Sequence, residues 1–160
     1  MSFDIFLQHF VNGESAEADR RDVLDVLATV DYDGPDKYGS YHVAFPDGVV
    51  VEFDASGLES EESFTGCAFC RCGFGDDLVK FIFDVARAGD MVIMVPMEPA
   101  PMFLISEDQK AGVPPDLLEN FQPILVRSPD EIADAIQLGF EQWAAYRERC
   151  LHRSEEDGEG

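Results

Sequence analysis

The densest chemistry in this chain lies in Cys67-Ala68-Phe69-Cys70-Arg71-Cys72. A Cys-x-x-Cys pair can give two thiolates to a tetrahedral zinc ion, which takes four ligands. Cys72 would be a third ligand, and Cys150 or His152 a fourth. No second Cys-x-x-Cys stands at a distance. If the segment is a strand, alternation places Cys70 and Cys72 on one face and Cys67 on the other. The competing reading is that these residues are small buried hydrophobes, a common role for thiols. The ligand set is incomplete, so the expectation is no bound metal and no cofactor, with Cys67, Cys70 and Cys72 as the candidate ligands of a zinc or thiol module. In a reducing compartment they are thiols and not a disulfide framework.

Other catalytic signatures are missing. His9, His42 and His152 form no His-Glu-x-x-His pattern, and no Gly-x-Ser-x-Gly elbow is present. A general base needs a positioned partner, and nothing in the spacing supplies one. Gly73-Phe74-Gly75 is too short to cradle phosphate and runs into Asp76-Asp77, whose charge opposes an anion. Pairs such as Asp31 and Asp33, Glu61 and Glu62, or Asp76 and Asp77 arise by chance in a chain with 33 acidic residues. The chain is therefore not expected to be an enzyme.

The carboxylates matter more as a surface. The formal net charge is −22, from 33 acidic against 11 basic residues. Such a surface repels nucleic-acid phosphate and anionic lipid headgroups. It favours fast capture of a cationic partner. Two acidic stretches look like contact loops. In Asp31-Tyr32-Asp33-Gly34-Pro35-Asp36 an aromatic anchor stands between carboxylates. The connection from Asp54 to Glu62 carries four carboxylates and no base. The candidate partner-binding residues are Asp31, Tyr32, Asp33, Asp36, Asp54, Glu59, Glu61 and Glu62. A solvated loop without a partner is the alternative for either stretch.

The elements that must hold these residues follow from periodicity. Phe3, Ile5 and Leu7 alternate as in a strand, and Asn12-Gly13 turns the chain. Asp19 is a good N-cap for a helix over about residues 19–30, with Val23, Leu24 and Leu27 as its apolar stripe. Residues 31–39 read as a loop. Tyr41–Phe45 and Val49–Phe53 form a hairpin about the Pro46-Asp47-Gly48 turn. A strand is expected over 64–74, and a helix over 76–88 whose first turn carries Asp76 and Asp77 and whose C-cap is Gly89. Met91–Val95 is an unbroken apolar run, as in a strand covered on both faces. Met102–Ile105 and Ile124–Val126 read as further strands, with a helical turn over 116–120 between them. Ser128-Pro129-Asp130-Glu131 opens a final helix running to about Cys150, roughly 33 Å long at 1.5 Å per residue.

The expected fold class is α+β, with a mostly antiparallel sheet, about three helices packed on one face and a long C-terminal helix. One domain spans 1–153, and 154–160 is a disordered acidic tail. No apolar run approaches the roughly 20 residues that span a bilayer, and Met1-Ser2-Phe3-Asp4 lacks the cationic start of a signal peptide. The expected location is the cytoplasm. The final helix would also support a homodimer if Trp143 or Tyr146 faces solvent.

The opening Met1-Ser2-Phe3-Asp4-Ile5-Phe6-Leu7-Gln8, followed by Asn12-Gly13-Glu14, resembles the start of a group of small uncharacterised bacterial proteins. Pro114-Pro115-Asp116-Leu117-Leu118-Glu119, then Val126-Arg127-Ser128 and Ile132, is similar to their C-terminal half. That group resembles the immunity proteins encoded beside polymorphic toxins. The resemblance implies an immunity protein that binds and neutralises a cognate toxin, itself expected to be basic, and it brings no catalytic residue with it. The alternatives are the zinc or thiol module and a non-catalytic regulatory domain.

Overall fold

Ile5 and Leu7 alternate with Asp4 and Phe6, and the chain pleats there into β1 (Phe3–Gln8), with Ile5 and Leu7 buried and Asp4 and Phe6 exposed. The computed structural model describes residues 3–55, 57–59, 63–72, 75–95 and 100–137. After β1 come β2 (Phe10–Val11), β3 (Glu14–Ser15), α1 (Arg20–Leu27), β4 (Asp31–Asp33), β5 (Ser40–Ala44), β6 (Val50–Asp54), β7 (Gly66–Cys72) and α2 (Asp76–Gly89). The described chain continues through β8 (Val92–Met94), β9 (Pro101–Leu104), α3 (Asp108–Gly112), α4 (Pro115–Asn120), β10 (Gln122–Leu125) and α5 (Pro129–Gln137).

Turn chemistry fixes the two tight hairpins. Asn12 and Gly13 both take positive φ, 53° and 81°, the pairing that lets a two-residue loop match strand twist. They join β2 to β3, a small separate ladder. Between β5 and β6, Gly48 has φ 92°, Asp47 Oδ1 accepts from the Val49 N–H at 3.0 Å, and the Phe45 N–H donates to Val49 O at 2.9 Å. The hairpin about Pro46-Asp47-Gly48 is therefore present, one residue longer at its open end than the alternation predicts.

Helix starts follow their caps. Asp19 Oδ1 accepts from the Asp22 N–H at 3.1 Å and satisfies one of α1's unpaired first-turn donors. That helix stops at Leu27, short of the expected 30, because β-branched Thr29 and Val30 lead directly into β4. At the end of α2 the cap is Asp90, in the left-handed region with φ 53°, and not Gly89. Gly89 instead makes room: a Cβ there would meet Met91 Cε at 2.5 Å and Val23 Cγ2 at 3.3 Å. Ahead of α5, Glu131 Oε2 accepts from the Arg127 N–H at 3.2 Å, one residue before the Ser128 expected as cap. The rest of the predicted long final helix, from 138 on, and the tail lie outside the described residues.

Eight strands form one sheet in the order β10-β9-β8-β1-β7-β6-β5-β4. Every neighbouring pair is antiparallel except β9–β10. The α+β class and the mostly antiparallel sheet are as expected. The helices differ: the described residues hold five, not about three, and they do not share one face. Helices α1, α2 and α5 cover one side, where Val23, Leu27, Phe81, Ile82 and Ile132 meet Ile5, Val43, Phe53, Phe69 and Phe103. Among the described residues the other side is covered at the β8–β9–β10 end, by Val113, Leu117, Leu118 and Phe121 from around α3 and α4, and by Phe10 of β2. Ile93 packs into the first layer and Val92 into the second, which explains the unbroken apolar run of β8.

Rings dominate the main core. Phe53 stacks on Phe69 at 4.9 Å between centroids, and Phe81 of α2 meets both edge-on at 5.6 and 5.7 Å. Such pairs add to the large area each ring buries. Among the described residues no helix is long and apolar enough to cross a membrane.

A candidate protein-binding face

Strand alternation decides which side chains share a surface. Tyr41, Val43, Val51, Phe53 and Phe69 point into the helix-covered core, so their neighbours point the opposite way. At β1, β7, β6, β5 and β4 that opposite side carries no covering element among the described residues. Register assembles it into rows. One row runs Asp33, His42, Glu52, Cys70. The next runs Ser40, Asp54, Ala68, Phe6, Met94. A third runs Asp31, Ala44, Val50. No position of β4, β5 or β6 is Lys or Arg.

The predicted contact residues separate. Asp31, Asp33 and Asp54 stand on the uncovered face, although the acidic stretch 31–33 forms a strand and not a loop. Asp36 lies in the loop beside them, where its Oδ1 accepts from the Tyr38 and Ser40 N–H groups at 2.8 and 3.0 Å. Those two backbone donors, Ser40 first, hold its carboxyl below the usual range, with His42 and Lys37 adding to the effect. Tyr32 alternates to the opposite side, pairs with Val43 and meets Tyr41 edge-to-face at 5.7 Å. Glu59 accepts the Tyr41 hydroxyl at 2.5 Å, so it tethers the 57–59 turn to β5 on the core side. Glu61 and Glu62 lie outside the described residues.

Asp54 shows how concentrated the charge is. Its carboxyl is pushed above the usual range by partial burial, then by Glu52, then by Asp36. Glu52, His42 and Phe6 belong to this face and are absent from the residues expected from sequence. The signal for Glu52 was available in the alternation Val50-Val51-Glu52-Phe53-Asp54, where each acid flanks a core aromatic. Phe6 is 43% exposed and Val50 56%, so apolar area lies among the carboxylates.

Cys67 and Cys70 face opposite sides of the sheet. Cys67 lies opposite Leu7 on the core side, and burial pushes its thiol strongly up, which disfavours thiolate. Cys70 faces the open side, and Cys72's side chain lies outside the described residues. Among the described residues no three His, Cys, Asp or Glu side chains are grouped to hold a metal ion. Elsewhere, a broad cleft of about 650 Å³ is lined by His9, Asp19, Arg20, Arg21 and Asp90 among others. His9 Nδ1 lies 2.7 Å from Asp90 O, and Arg20 is paired with Glu17 at 2.9 Å, so its charges are mixed in sign.

Compared with known proteins, the chain matches no protein-family model, no curated protein and no solved structure.

Proposed function

We propose that this protein is an inhibitor of a basic protein, acting as an immunity protein that captures a toxin domain on its uncovered acidic sheet face. The observation that carries the reading is the gathering of Asp31, Asp33, Glu52 and Asp54 on one side of β4 and β6, with no lysine or arginine position among them. A field of one sign speeds encounter with a cationic groove, and apolar contacts around Phe6 slow release. A toxin that handles nucleic acid or a nucleotide must carry such a groove, and occupying it blocks the substrate. The same charge opposes nucleic acid as a direct ligand.

Co-expression tests the reading. The product of the adjacent gene is expressed in a bacterial host with and without this chain. Relief of growth arrest, with a complex whose affinity falls as salt rises, supports it. An adjacent product that arrests growth equally in both cases, or one with no toxic effect and no complex at low salt, sinks it.

A further inference from the structure

The open face is not uniform. Its β4–β6 half presents Asp31, Asp33, Glu52 and Asp54, whereas its β7–β1 half presents Ala68, Cys70 and the half-exposed ring of Phe6. Phe6 stands between Ala68 of β7 and Met94 of β8, so apolar side chains flank the ring across the strands. On the far side of the same sheet, helices fill the equivalent position.

We propose that this face docks an amphipathic basic helix of the partner, with Arg or Lys side chains over Glu52, Asp54 and Asp33 and a large apolar residue against Phe6. The inference rests on the inhibitor reading and adds the surface and the shape of its partner. Geometry sets the helix length. Five strands at about 4.8 Å spacing are about 19 Å across, the length of roughly 13 helical residues. Charge selects against a second copy of this chain as the occupant. A second copy would bring the same carboxylates and a net charge of −22 against its twin. The crowding of Asp54 by Glu52 and Asp36 is relieved when a cation arrives, so a base of the helix set over Asp54 meets carboxylates that repel one another. An exposed aromatic ring beside a charged patch suits such a contact.

The probe is a synthetic helix of leucine and lysine of about 14 residues, long enough to cross the face, added to the isotope-labelled full chain. Amide shifts concentrated on β1, β5, β6 and β7 are expected. The double charge reversal Glu52→Lys with Asp54→Lys should weaken the peptide by about tenfold or more. The matched reversal Asp25→Lys with Asp134→Lys, at exposed positions on the helix-covered side, should leave affinity within about twofold. Phe6→Ser should weaken it also at high salt. Circular dichroism confirms that each variant is folded. Shifts on α1, α2 and α5, equal loss in both reversals, or equal binding of a lysine-only peptide would overturn the proposal, as would salt-independent self-association through this face. If the toxin is neutralised but Glu52→Lys with Asp54→Lys changes nothing, the surface assignment fails and the inhibitor reading stands. If the peptide docks here and no toxin is relieved, the reverse holds.

Discussion

Glu52 and Asp54 stand two residues apart on β6 with both carboxyls on the uncovered face, and their repulsion helps to hold Asp54 above the usual carboxylate range. The folded state thus disfavours the charged form of Asp54. Partial burial is the larger cause and Glu52 the next.

Replacing Asp54 by Asn should therefore stabilise the protein at neutral pH. The sign follows from linkage. A carboxyl whose folded pKa is raised binds its proton more tightly when folded, so stability falls as pH rises from the unfolded value of about 3.9 through the folded one. The Asn variant lacks this loss. Urea midpoints should favour it at pH 7 and converge with the parent toward pH 4. A lower midpoint for Asp54→Asn at pH 7 would refute the assignment.

Tyr41 makes an alkaline prediction. Burial, then the bond to Glu59 and its charge, push the phenol strongly up. The unfolded chain releases this proton near pH 10 and the folded chain keeps it, so stability is intact below that value and is lost as pH rises beyond it. The phenolate absorbance that separates the parent from Tyr41→Phe should appear only together with unfolding. Its appearance in a folded sample would contradict the buried bond. At neutral pH Tyr41→Phe should cost about 1 kcal/mol, the worth of one such hydrogen bond.

Phe53 and Phe6 should respond in opposite ways. Phe53 is fully buried against Phe69, Phe81 and Tyr41. Truncation to Ala should cost about 3–5 kcal/mol by lost transfer energy and cavity formation. Phe6→Ala on the open face should change stability by no more than about 0.5 kcal/mol while weakening the partner. Chemical denaturation measures the first pair of values and titration calorimetry the last. A large stability loss for Phe6→Ala would mean that the ring belongs to the core.

The thiols should differ as well. Cys67 is buried and strongly disfavours thiolate, whereas Cys70 is half-buried on the open side. Alkylation followed by peptide mass mapping should modify Cys70 well before Cys67, by at least about tenfold in rate. Comparable rates would show that β7 opens readily.

Elements with a strong local code were legible in the chain: the Pro46-Asp47-Gly48 hairpin, the Asp19 cap, the amphipathic α2 and the buried β8. Short elements stabilised by distant partners were not. Asp31-Tyr32-Asp33 looks like a charged loop and becomes a strand only because β5 lies alongside it. Asp108–Gly112 carries little helical pattern and is held by Gln109, whose Nε2 donates to Asp90 Oδ1 at 3.0 Å and whose Oε1 accepts from the Ile105 N–H at 2.7 Å. The acidic site was half legible. Loop reasoning found Asp31, Asp33 and Asp54, but only sheet register sends Tyr32 and Glu59 to the other side and adds Glu52, His42 and Phe6.

The place of β1 has a consequence for biosynthesis. Of the strands in this sheet β1 is made before the others, and it lies mid-sheet, where Phe6 is opposite both Ala68 and Met94. Neither neighbour exists when β1 is made, so the segment carrying Ile5 and Leu7 must wait unpaired until β7 and then β8 emerge. A ribosome stalled before Met94 would hold a nascent chain with that strand's edge still open to the wrong partner, and early termination there would yield an aggregation-prone fragment and not a smaller folded unit.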